Sequence, residues 1–308
     1  PTEQRKLHKA LRRLSAKSQL YPQCFSLPPL NHVDQVTGGT YGDVFKAYLG
    51  DQTFAVKQMR VWGKVWKAFA KEAITWGQLS HPNILPFYGL YKAGTSSRLC
   101  LVSPWMENGH IGNFMKTQQV AACDIDKLLS LILDIALGLE YLHKREIIHG
   151  DLKNNILVTA ASKACIADLG LCALGTTLSS FPEYRTQPCG CAALRYKAPE
   201  LHDGERTDSR SDIYSFACLM YELMAGELPF SNVTNDGALI RAVTDGKRPE
   251  CPPPGCRSEI RTLDAAWRLV EDCWAQIPEK RPTAAQIVVL LKGAEIGAKE
   301  TTSAGSWD

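Results

Sequence analysis

The chain has 308 residues, 45% apolar and 22% charged, with a net charge of +3; it can bury a sizeable core, and so small a charge, interleaved in sign, gives no support to nucleic-acid or membrane-surface binding as the main function. No apolar run approaches the roughly 18 residues of a membrane span, and eleven scattered cysteines without a C-x-x-C pattern speak against a disulfide framework or a zinc knuckle. Neither nucleic acid nor membrane is an expected partner, the thiols are expected to be reduced, and the expected compartment is the cytosol, with the nucleus as the other option.

Residues 1–30 open with Leu7, Ala10, Leu11 and Leu14 among Arg and Lys, the spacing of a short amphipathic helix, with partner docking as its functional alternative. They turn Pro-rich at Pro22, Pro28 and Pro29, a linker, and the charged start from Pro1 to Arg13 lacks an apolar signal core. Residues 33–48 read as strand interrupted by Gly38, Gly39 and Gly42, and 53–59 as a second strand, together a hairpin. Glycine at such a turn lets backbone N–H groups approach phosphates that side chains would hold off. No G-x-x-x-x-G-K-[ST] sequence occurs, so a P-loop nucleotidase is not supported.

Residues 66–79 set Phe69, Glu72 and Trp76 on one helical face, and after the His81-Pro82 break strands are expected over 85–91 and 99–103. Beyond Asn108 the pattern is helical, longest at 126–143, 211–224 and 263–274, and the small polar tail after Gly293 is expected to fray. The expected fold is α+β and bilobal: 1–30 an extension and linker, 31–107 a small antiparallel β-sheet lobe with one main helix, 108–293 a larger mainly helical lobe, and 294–308 a flexible tail.

Three ordered segments carry the chemistry: Ile147-Ile148-His149-Gly150-Asp151-Leu152-Lys153-Asn154-Asn155-Ile156-Leu157-Val158, then Ala167-Asp168-Leu169-Gly170, then Ala198-Pro199-Glu200. With Ala55-Val56-Lys57 and the run from Val36 to Val44, they resemble the protein kinase family. The glycine-rich run is similar to G-x-G-x-x-G-x-V, with Gly39 and Gly42 as its second and third glycines and Thr37 in place of the first. Lys57 matches the β3 lysine, Glu72 the glutamate of the helix that follows, and Leu169 stands for the Phe of D-F-G. Ser211-Asp212 and Arg281-Pro282-Thr283 extend the resemblance, the latter as the arginine that pairs with the A-P-E glutamate, so that it covers about Val33 to Leu291.

The resemblance implies ATP and magnesium, with a protein as the substrate. Asp151 would accept or orient the substrate hydroxyl proton, Lys153 steady the transferring phosphoryl group, and Asn155 and Asp168 hold magnesium. Lys57, paired with Glu72, would meet the α- and β-phosphates in a partly dry cleft, where its charge is less screened than in water. Gly38, Gly39 and Gly42 would cover the phosphates, and Val36, Val44, Ala55 and Leu157 sandwich the adenine. Ser103 falls at the gatekeeper position, with Pro104, Trp105 and Met106 as the hinge, where only the carbonyl of Pro104 is needed. A lysine two residues after the aspartate points to serine/threonine hydroxyls. The Phe87-Tyr88-Gly89 run and the hinge resemble the tyrosine-kinase-like group, and the H-G-D-L-K form is similar to its fungal members.

Three departures from the family pattern bear on activity. Gly150 replaces the arginine that meets a phosphorylated activation loop, so activity is expected without phosphorylation of Thr176, Thr177, Ser179, Ser180 or Thr186. Ala193 stands where serine/threonine kinases keep a hydroxyl. Three residues separate Asp151 from Asn155, where the pattern has four. The second reading is therefore a pseudokinase, a nucleotide-binding or protein-interaction module; a small-molecule phosphotransferase on a related fold is a third.

Overall fold

Alternate residues of the third strand already divide a sheet into two faces: Phe54 and Val56 are buried, while Ala55 and Lys57 point the other way. The computed structural model of this chain describes residues 7, 10, 11, 14, 15, 18, 21–28, 30–38, 42–59, 73–93, 98–117, 124–153, 155–168, 194–252 and 260–303. The chain divides into two compact units, one of Pro1–Glu107 with Ala167–Gln187, the other of Asn108–Ile166 with Pro188–Asp308.

The first unit holds five antiparallel strands, β1 (Asn31–Gly38), β2 (Gly42–Leu49), β3 (Gln52–Met59), β4 (Gly89–Ala93) and β5 (Arg98–Pro104), in the order β1-β2-β3-β5-β4. The β2–β3 register sets Phe45 opposite Val56 and Ala47 opposite Phe54, and β5 sets Val102 opposite Val56. Leu30, Ala47, Phe54, Val56, Cys100 and Val102 thus form one core, closed by Leu27, Phe45 and Tyr91. The strand expected over 85–91 starts only at Gly89. Pro86 has no N–H to give a ladder, and the residues before Gly89 run as irregular chain. Residues 73–76 are helical and give way to a turn at Gly77, short of the expected end at Leu79; the start of that expected helix lies outside the described residues. The described positions at 7, 10, 11, 14, 15 and 18 are helical, with Leu7 and Leu14 exposed.

The second unit is mainly helical: α1 (Ile111–Thr117), α2 (Ile125–His143), the β6 (Ile156–Val158) and β7 (Ala164–Ile166) hairpin, α3 (Pro199–His202), α4 (Ser209–Ala225), α5 (Asp236–Thr244), α6 (Ile260–Cys273) and α7 (Ala284–Ser303). α2 and α4 begin on side-chain caps. Asp124 accepts the Lys127 N–H at the head of α2, and Asp208 and Ser211 close a capping box on α4, which ends on left-handed Gly226. α4 is apolar almost all round and buried through most of its length, which makes it the internal post of the unit. α7 continues past Gly293 to Ser303; Ala294, Ala298, Lys299 and Glu300 are good helix formers, whereas the tail was expected to fray. Among the described residues no helix is long and apolar enough to cross a membrane.

Candidate active site

The sheet face opposite the core of the first unit gathers the nucleotide-side residues expected from sequence. Val44 stands opposite Lys57, Ala55 opposite Ser103, and Lys57 opposite Leu101, so Val44, Ala55, Lys57 and Ser103 share one surface. Ser103 is buried. Gly38 ends β1 and pairs with Asp43, and Gly42 begins β2, so both flank the turn; Val36 is half exposed on β1. Gly39 lies outside the described residues. At the expected hinge Pro104 pairs with Phe54, and Trp105 spends its N–H on the Thr53 carbonyl at 3.1 Å. Lys46, on the same face as Ala55, lies 4.9 Å from the centre of the Trp105 ring.

Lys57 forms an ion pair with Asp168, Nζ to Oδ1 2.6 Å, with side chains 16% and 26% exposed. Partial burial makes this pair less screened than a surface one. Asp168 holds a left-handed backbone, φ 56°, a conformation that costs a non-glycine residue energy and persists only where its surroundings impose it, commonly at functional sites. Glu72, the expected partner of Lys57, lies outside the described residues, as do Asn154, Leu169, Gly170, Ala193 and the five serines and threonines from Thr176 to Thr186.

In the second unit a buried carboxylate anchors the segment His149–Gly150. Asp212, in the first turns of α4, accepts the N–H of His149 at 2.8 Å and of Gly150 at 2.6 Å, and His143 Nε2 at the end of α2 lies 2.9 Å from it. His149 Nδ1 accepts the Asp151 N–H at 3.2 Å, so Asp151 is held through the histidine. Gly150 has φ 69°. That left-handed turn is what the glycine supplies in addition to the lost arginine charge. Asn155 Nδ2 donates to the Asp151 carbonyl at 2.6 Å, which ties the two ends of the shortened loop together. Lys153 is buried, and its Nζ lies 5.3 Å from the centre of the Tyr196 ring; the Tyr196 hydroxyl hydrogen-bonds Glu222. Burial and the Glu222 carboxylate push the Tyr196 phenol far above its ordinary range. Leu157 is in β6, beside the His110 bridge. The expected pair of Arg281 with Glu200 is bidentate, at 2.7 and 2.8 Å, with the arginine side chain fully buried.

Sequence reasoning quoted Asp212 only as the start of a helix and missed its role; the signal was there, an acid at the head of the apolar run from Ile213, which stays buried only when donors satisfy it. It also missed His110. The ring takes the Gly112 N–H on Nδ1 at 3.1 Å, and its Nε2 is buried without a hydrogen-bond partner among the described residues. Burial, and secondarily the Lys153 charge, hold its pKa below the ordinary histidine value. An imidazole kept neutral in the fold takes up its proton on unfolding, so stability is present above the ordinary value and is lost as pH falls below about 6.5. We expect melting temperature to drop between about pH 8 and about pH 5, and His110→Asn, which keeps an acceptor for Gly112, to flatten that slope. An unchanged slope in the variant would assign the acid loss elsewhere, for example to His202, whose pKa burial also lowers.

A lysine–carboxylate pair on one unit and an anchored Asp-Lys-Asn loop on the other define a protein of the kinase type. A family model described as protein tyrosine and serine/threonine kinase matches residues 30–291, and the chain belongs to this family. It is 30% identical over 290 residues, 89% of this chain and 48% of the relative, to serine/threonine-protein kinase STY17 of Arabidopsis thaliana. It is 27% identical over 275 residues, 87% of this chain and 67% of the relative, to serine/threonine/tyrosine-protein kinase HT1 of the same plant. Ephrin type-B receptor 4b of Danio rerio is 29% identical over 269 residues, 84% of this chain and 26% of the relative. The chain thus spans about half the length of STY17.

Proposed function

We propose that this chain is a protein kinase that transfers the γ-phosphoryl group of Mg-ATP to serine or threonine hydroxyls of protein substrates. The observation that carries the reading is the Asn155 hydrogen bond to the Asp151 carbonyl, because it keeps the loop closed although the loop is one residue short. Asp151 would take or orient the hydroxyl proton, and Lys153, its ammonium against the Tyr196 ring, would steady the moving phosphoryl group. Lys57 would hold the α- and β-phosphates, with Glu72 as its second carboxylate, while Val36, Val44, Ala55 and Leu157 enclose the adenine and Met106 meets its edge. Gly38, Gly39 and Gly42 would close over the phosphates.

The residues present fit magnesium. With its amide nitrogen committed to Asp151, Asn155 offers a carbonyl oxygen, and Asp168 offers a carboxylate; these are the hard oxygen donors this ion takes, one or two from protein and the rest from phosphate and water. Magnesium would neutralise charge on the phosphate oxygens. The cytosol or nucleus remains the proposed compartment, and a protein the proposed partner.

Two measurements test this reading. Wild-type protein with Mg-ATP and a generic basic protein should incorporate phosphate, and Asp151→Asn should not. Mg-ATP at 100-fold over its dissociation constant should stabilise the fold by about 2.7 kcal/mol; no melting shift and no heat of binding at millimolar nucleotide would remove the ATP site. The pseudokinase reading draws on the shortened loop. Inserting one glycine after Lys153 should change turnover by less than about tenfold, about 1.4 kcal/mol, and a much larger gain would mean that the natural loop is impaired.

A further inference from the structure

The family model starts at residue 30, yet the segment just before it is built into the first unit. Gln23–Phe25 forms a 3-10 turn, Ser26 bridges Leu90 in parallel, and Leu27 donates its N–H to the Leu90 carbonyl at 2.9 Å, which adds a short edge to β4. This course sets Phe25 edge-on to Phe87, with ring centres 5.3 Å apart at 87°, and Phe87 in turn lies 5.2 Å from Trp76. Two glycines make the room. A Cβ on Gly77 would come 2.7 Å from Phe25 Cζ, and one on Gly89 would come 2.4 Å from the Phe25 carbonyl oxygen. Gly77 sits in the turn after helical residues 73–76, its N–H on the Ala73 carbonyl at 2.9 Å. Trp76 is pinned from its other end, Nε1–H to the Leu85 carbonyl at 2.6 Å. An aromatic ring this close to a glycine leaves no slack for either to move alone.

We propose that Phe25 is a positioning residue: residues 23–28 form a strap whose ring presses on the turn at Gly77 and holds residues 73–76 in register. Ala73 directly follows Glu72 in sequence. In a helix a slip of one residue turns a side chain by about 100°, so a shift of residues 73–76 would bear on the role that the kinase reading gives the preceding Glu72. Only the consequence for turnover rests on the kinase reading; the contact itself does not.

The test uses the full chain with Phe25→Ala, Gly77→Ala and the pair Phe25→Leu/Gly77→Ala, in which a shorter side chain makes room for the new methyl. Phe25→Ala should speed amide exchange at residues 73–79 by about tenfold and leave α4 unchanged. It should lower kcat by about tenfold and raise KM for ATP. Mere loss of folded protein would lower apparent kcat and leave KM alone. Gly77→Ala should behave alike by driving the ring out, and the double variant should recover most of the loss. Unchanged exchange at 73–79, or an equal rise in α4, would overturn the strap. If wild-type protein transferred no phosphate while exchange followed the expected pattern, the kinase reading would fail and the strap would stand.

Discussion

Lys57→Met should lower turnover by about 100- to 1,000-fold while the protein stays folded, the scale on which a preorganised charge at a transferring group acts. Methionine keeps the unbranched stem that lies on the β3 surface between Val44 and Leu101, so packing at that register is preserved. What disappears is the ammonium 2.6 Å from Asp168 Oδ1. Asp168 then keeps a partly buried charge at a strained φ of 56° without the partner that holds it. On the proposed function the variant would lose the phosphate anchor and leave the proposed magnesium ligand without its ion-pair partner. Steady-state kcat with a melting curve on the same sample checks this. Turnover within tenfold of wild type would remove Lys57 from the machinery, and loss by unfolding alone would leave its role unsupported.

Asp212→Ala should cost about 4 kcal/mol of stability, because it leaves the N–H groups of His149 and Gly150 inside the protein without acceptors, at about 1–3 kcal/mol each, and it frees His143 as well. Exchange should quicken first at residues 149–151, since the Asp151 N–H is held by His149 Nδ1 and His149 in turn by Asp212. Asp212→Asn should fall between the two, because an amide accepts from one of these donors and turns its own N–H₂ toward the others. Denaturant titration of the three proteins measures the order. An alanine variant with the wild-type midpoint would show that the loop is anchored by something else.

Local pattern made much of the fold legible. The 2-residue alternation of β3, the 3.6-residue periodicity of α2, the long apolar run of α4 and glycines flanking a turn are imprinted by neighbours a few residues away, and each of these elements appears near its expected place. Two boundaries depend on backbone properties that hydrophobic pattern does not carry: Pro86 delays β4, and the helix that includes residues 73–76 gives way at Gly77. Gly150 was legible as a missing charge and not as a left-handed turn, because φ is a property of the folded loop.

By itself the sequence determined the family, the α+β class, the order of the motifs and the identity of Lys57, Asp151, Lys153, Asn155 and Asp168 as the residues to examine, since motif spacing is a one-dimensional quantity. Only the tertiary structure decided who holds them. Asp212 meets Gly150, His149 and His143 across 62, 63 and 69 residues of chain, Lys57 meets Asp168 across 111, and Phe25 finds its seat between Gly77 and Phe87. Closing such loops costs entropy that grows only slowly with length, so the distance along the chain carries almost no information about the partner. The partner is chosen instead by which buried carboxylate finds donors and which ring finds a glycine, and those are conditions on three-dimensional packing.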